Sequence, residues 1–94
     1  MSAANQKRWF QAIHELETCS LCGAWGVQAS HRNQGRGLGQ KSADHLIAAI
    51  CMAEHAEIDN GKNMTQAERR AAWNAAYVDT IDRLIRSGKL VLKP

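Results

Sequence analysis

Aromatic residues make up only 5% of this 94-residue chain, and no apolar run exceeds the eight residues from Leu46 to Ala53. A helix that crosses a bilayer needs about 20 consecutive apolar residues, so no membrane segment is expected. A chain of this length forms a single domain, 1–94, and buries only roughly 60–65% of its unfolded surface. Its core is therefore thin and calls for a staple. Cysteine occurs three times, an odd number, and the first residues show no signal-peptide pattern. Both features argue against a secreted disulfide scaffold and for reduced thiols in a cytoplasm, which makes a metal ion the leading staple. Acid is missing altogether between Glu17 and Asp44, where Arg32, Arg36 and Lys41 fall, and after Asp82 come Arg83, Arg86, Lys89 and Lys93. The net charge of +3 says little as a total, but it resolves into a basic middle and a basic tail.

Hydrophobic periodicity gives the layout. Trp9, Phe10, Ile13 and Leu16 recur at helical spacing and predict a packing helix over 3–17. Thr18 to Gly26 carries turn chemistry at Gly23 and Gly26 and reads as a tight knuckle, with a strand over Val27–Ser30 after it. His31 to Gln40, with Gly35, Gly37 and Gly39, reads as a loop. Leu46–Ile50 is a candidate return strand, and Cys51 opens a helix of about three turns that ends near Gly61. Thr65 and Glu68 form a T-x-x-E capping box ahead of a long helix, 65–88, with Ala72, Trp73, Ala76, Tyr77, Ile81, Leu84 and Ile85 on its apolar stripe and Gly88 at its close. Leu90–Leu92 is a candidate final strand. The fold class is α+β.

Cys19 and Cys22 form a C-x2-C pair, and after twenty-eight intervening residues Cys51 begins C-x3-H with His55. Such spacing suits a zinc site in which a knuckle gives two thiolates and the first turns of a helix give the rest, since positions i and i+4 share a helical face. The plainer alternative is a buried core cysteine plus a redox pair or a chance pair. His31 sits at a strand end beside glycine-rich backbone and Arg32, where a phosphodiester can approach and a water can be deprotonated, although a lone loop histidine is more often simply solvated. His14 reads as a surface residue, and His45 beside Asp44 as a local hydrogen-bonded pair. The glycines at 35, 37 and 39 do not match a phosphate loop or dinucleotide fingerprint, so no nucleotide cofactor is expected. Trp73 and Tyr77 read as core rather than as a base-stacking platform.

Cys19-Ser-Leu-Cys22, Ala29-Ser-His31, Lys41-Ser-Ala-Asp44 and the stretch from Ala49 through Cys51, Glu54, His55, Ile58 and Asp59 to Gly61 together resemble the small phage and prophage HNH-type nucleases of the YbcO kind, which look related to the phage recombination-enhancement nuclease. The resemblance runs from about residue 19 to about residue 90. It implies a zinc-stapled treble clef with a ββα-metal active site over 18–61, flanked by an N-terminal helix and a long C-terminal helix. It implies a metal-dependent DNA endonuclease working in recombination or DNA processing in a host bacterial cytoplasm, on double- or single-stranded DNA, with a recombinase as a conceivable partner. His31 corresponds to the general base and His55 to the helix ligand of a catalytic Mg²⁺ or Mn²⁺, whose work is Lewis-acid stabilisation of the phosphate. Asp44, or with less support His45, occupies the region of the residue that orients the base. Arg32, Asn33, Arg36 and Lys41 would hold the DNA backbone, giving salt-sensitive binding with little sequence information.

The chain departs from the family at one position. Members read C-x2-C-H across the helix start, whereas Glu54 stands where the second cysteine belongs. Three outcomes are open: Glu54 completes the structural zinc site, His55 becomes its fourth ligand and leaves the catalytic ion, or the zinc is lost. Ser30 also replaces the acidic or histidine metal ligand that many HNH enzymes carry before the base. An inactive zinc-containing module that binds DNA or a protein partner is therefore the alternative to the nuclease.

Overall fold

The computed structural model describes residues 3–32, 46–60 and 62–91. These residues form three helices and one two-stranded antiparallel sheet, in the order α1 (Ala3–His14), β1 (Gln28–His31), β2 (Ile47–Ile50), α2 (Met52–Asn60) and α3 (Gln66–Arg86). The α+β class and the order helix, knuckle, hairpin, helix, long helix agree with the sequence reading.

The strands pair in the register Gln28↔Ile50, Ala29↔Ala49, Ser30↔Ala48 and His31↔Ile47. Because side chains alternate across a strand, this ladder has two faces. Ala48 and Ile50 pack with Ile58, Trp73 and Ala76 on the face covered by α2 and α3. Ile47 and Ala49 pack with Ile13 and Leu84, and with the half-buried Phe10 and Ala29, on the face covered by α1 and the end of α3. Burial on both sides explains why β2 is apolar without alternation: all four of its residues are buried.

Helix α3 begins at the expected capping box. The Glu68 amide donates to Thr65 Oγ1 at 3.1 Å, and the Thr65 amide donates to Glu68 Oε1 at 2.9 Å. It closes at Ser87 and Gly88, the latter at φ 78°, where the amides of Gly88 and Lys89 donate to the carbonyls of Ile85 and Leu84. This is a Schellman closure, which needs the left-handed conformation glycine adopts freely.

Three features differ from expectation. Strand β1 runs Gln28–His31 rather than Val27–Ser30, so His31 pairs with Ile47 as the last strand residue instead of opening the loop. Helix α1 stops at His14 rather than residue 17, because the amides of Leu16 and Glu17 donate three residues back and Glu17 turns to φ 66°. No strand forms at Leu90 and Val91: the Leu90 amide donates to the Leu84 carbonyl, which ties the chain to the helix end instead of to a neighbouring strand. Leu92 and the glycine-rich loop from Asn33 to Gln40 lie outside the described residues.

A polar seam joins α3 to the knuckle and to β2. Thr80, fully buried, donates to the Ala76 carbonyl at 2.7 Å, accepts from the Ala49 amide at 3.0 Å, and lies 3.0 Å from Ser20 Oγ. The chain that leaves α1 is held by Arg83, which donates to the carbonyls of Leu16 and Thr18 and to the hydroxyls of Thr18 and Ser20 at 2.7–3.0 Å. At the far end, Lys89 pairs with Glu15, and this pairing, with Gln11 also donating, holds the Glu15 carboxyl below its ordinary value.

Candidate functional site

The knuckle is closed by an isolated bridge between Thr18 and Trp25 and turns at Gly23 and Gly26, both at positive φ. The Cys19 amide donates to the Ala24 carbonyl at 2.8 Å, and the Ser20 amide donates to the Ala49 carbonyl at 2.9 Å, which fastens the knuckle beside the end of β2. Cys51 follows β2 directly. As a result the sulfurs of Cys19, Cys22 and Cys51 all lie within 4.8 Å of one another, with Cys22 and Cys51 at 3.6 Å and no disulfide among them. Thiolates on a tetrahedral zinc, each about 2.3 Å from the ion, stand about 3.8 Å apart. The donor set therefore fits a structural zinc: three soft sulfur ligands, two of them buried and Cys22 exposed.

Burial pushes the Cys19 thiol up, but the backbone at Cys51, Cys22 and Leu21 and the Cys22 thiol outweigh it and hold Cys19 below the ordinary thiol value. The amide of Leu21 stands 3.4 Å from the Cys19 sulfur. Cys22 moves the other way. The backbone at Ala24 lowers it, yet the adjoining Cys51 and Cys19 sulfurs and partial desolvation raise it above the ordinary value.

Neither Glu54 nor His55 belongs to this group. His55 is engaged elsewhere: its Nδ1 lies 2.8 Å from Gln28 Oε1 on β1, and its Nε2 lies 3.0 Å from Asp59 Oδ2 one turn further along α2. Gln28 and Asp59 thus engage both ring nitrogens of His55, and the i,i+4 spacing of 55 and 59 is the signal in the sequence that such a pair leaves.

His31 does not face this pair. Gln28, Ser30 and Arg32 project toward α2 and α3, as shown by the hydrogen bond of Gln28 with His55, the burial of Ser30 opposite Ala48, and the place of Arg32 beside Trp73. His31 projects to the other face, where its ring meets Phe10 of α1 edge-on at 5.8 Å between centroids. Strand parity alone separates the two histidines.

Next to Asp59 lies a cleft of about 140 Å³ between the end of β1, α2 and the first turns of α3, lined by Arg32, Asp59, Gln66, Arg69, Arg70 and Trp73. Arg32 lies in the basic middle of the sequence and Asp59 in the stretch that carries the resemblance, whereas Arg69 and Arg70 bear no signal in the sequence, because charged residues on a helix usually mark its solvated face. Trp73, 4% exposed, donates from Nε1 to the Ser30 carbonyl at 3.1 Å and stacks on Tyr77 at 5.1 Å, in keeping with its reading as core. His14 is exposed, as expected, with Nδ1 2.8 Å from the Phe10 carbonyl. Asn33, Arg36, Lys41, Asp44 and His45 lie outside the described residues. No helix among the described residues is long and apolar enough to cross a membrane. No family model, curated protein or solved structure matches this chain.

Proposed function

We propose that this chain is a metal-dependent DNA endonuclease of the small phage HNH type, folded around a structural zinc held by Cys19, Cys22 and Cys51. The observation that carries the reading is the pair His55 and Asp59: an imidazole and a carboxylate 3.0 Å apart, set by Gln28 of the hairpin, on the rim of a cleft that also holds three arginines. A divalent ion bound by such a pair supplies Lewis-acid stabilisation to a phosphodiester under attack. The protein's own groups do the rest. Gln28 orients the ring of His55. The trio of cysteines anchors Cys51 at the start of α2 and so fixes where His55 and Asp59 stand.

The second reading, a zinc module that binds DNA without cutting it, draws on the position of His31. The resemblance makes His31 the base, and a base must reach the water at the metal; its ring lies against Phe10 on the opposite face of the hairpin. In that reading His55 and Asp59 form a hydrogen-bonded ion pair, and the cleft only binds.

Incubation of the purified protein with supercoiled plasmid and with single-stranded DNA, in Mg²⁺ or Mn²⁺, tests both. Nicking by the wild type that disappears in His55→Ala and in Asp59→Asn, with folding intact, supports the nuclease. DNA binding without nicking in either ion leaves the binding module. Nicking that survives both substitutions sinks the proposed ion pair.

A further inference from the structure

We propose that the cleft between β1, α2 and α3 is a phosphate-binding site, built chiefly by Arg69 and Arg70 of α3 with Arg32 just beyond β1, that grips the sugar-phosphate backbone of nucleic acid. The nucleic-acid source of that phosphate rests on the function proposed above; the anion site itself does not.

Three guanidinium groups line a space of about 140 Å³ against a single carboxylate, Asp59. Like charges are brought together at a cost that an anion relieves, and the planar fork of arginine matches phosphate oxygens in pairs. Arg32 gives a second indication. Its Nε is buried and finds no hydrogen-bond partner among the described residues, a state that costs a charged donor dearly unless a ligand meets it. The helix terminus contributes little, since Thr65 and Glu68 already cap it, so the positive field comes from side chains. The cleft also says what it cannot read. Its one aromatic, Trp73, is buried, stacked on Tyr77 and committed through Nε1 to Ser30, which leaves no ring for a base. A phosphate is the ligand that the three guanidinium groups match, and among the described residues no free ring stands in the cleft to stack a base. Interactions of this kind fix register and are indifferent to sequence.

Nuclear magnetic resonance of the arginine Nε–H groups during titration with inorganic phosphate tests the anion site, and fluorescence anisotropy with a labelled 20-mer of DNA tests its source. Shifts of the Arg32, Arg69 and Arg70 signals with phosphate, and at least about a tenfold loss of DNA affinity in the doubly substituted Arg69→Gln, Arg70→Gln protein, are expected. The slope of log affinity against log salt should fall by roughly 0.9 for each duplex phosphate that the substitutions leave unneutralised. Arg70→Gln alone, at an exposed position, guards against a folding defect, and Lys7→Ala on α1 should bind as the wild type does. Phosphate shifts without DNA binding overturn the nucleic-acid source and keep the anion site. DNA binding that is unchanged in the arginine variants overturns the cleft while leaving the proposed function standing.

Discussion

His31 and His55 occupy opposite faces of the same hairpin: His31 rests edge-on against Phe10 of α1, and His55 is turned by Gln28 toward Asp59 on the α2 side. The two residues that the family resemblance joins in one active centre are thus separated by the thickness of a strand pair. His31→Ala should accordingly cost stability, since an edge-on aromatic pair contributes about 0.5–1.5 kcal/mol, and it should leave any metal-dependent nicking within about tenfold of the wild type. Thermal melting and plasmid nicking measured on the same preparation decide this. Activity that falls a hundredfold or more with an unchanged melting temperature would restore His31 as the base.

The cysteine trio makes a second expectation. Native mass spectrometry of the wild type should show one zinc ion, and Cys51→Ser should lose it together with on the order of 10 °C or more in melting temperature, because a structural zinc contributes its binding energy to folding. A strong chelator should produce the same state in the wild type. Glu54→Ala, which removes a residue outside the sulfur group, should keep its zinc; loss of zinc in that variant would show that Glu54 is the fourth ligand after all.

Thr80 holds three elements with one hydroxyl. Thr80→Val preserves shape but strands the buried Ala49 amide and leaves Ser20 with Arg83 alone, at a cost of about 1–3 kcal/mol. For a domain of this size each kcal/mol corresponds to about 4–8 °C, so a drop of about 10 °C is expected by calorimetry. Thr80→Ser, which retains the hydroxyl, should recover most of it. Equal losses in the two variants would assign the effect to packing rather than to the hydrogen bonds.

Acid should weaken α3 from its first turn. The Thr65 amide and side chain hold the Glu68 carboxyl below its usual value. A depressed carboxyl stabilises the fold above its unfolded value near 4.3 and loses that contribution as the pH falls through the lower folded value. The difference in melting temperature between wild type and Glu68→Ala should therefore be largest near neutrality and shrink below about pH 4. A difference that stays constant down to about pH 3 would mean that the charge of Glu68 plays no part in the cap.

Local chemistry was written into the sequence wherever a signal and its partner lie within one turn of each other. The capping box at Thr65 and Glu68, the glycine closure at Gly88, the knuckle glycines and the C-x2-C pair all need only neighbouring residues, and each stands where its spacing placed it. The gathering of Cys51 with Cys19 and Cys22 was also legible, because thiolate spacing limits what three cysteines in a small reduced chain can do. What the sequence left undetermined was direction. Ile47-Ala48-Ala49-Ile50 is apolar on both sides, so no alternation marks which face of the hairpin looks toward α1 and which toward α2 and α3. Tertiary packing settled it by burying Ile47 and Ala49 with Ile13 and Leu84, and Ala48 and Ile50 with Ile58 and Trp73. Once those faces are set, strand parity sends His31 to α1 and turns Gln28 and Arg32 toward the second face, where His55, Asp59, Arg69 and Arg70 converge from two helices that the sequence alone had no means of bringing together.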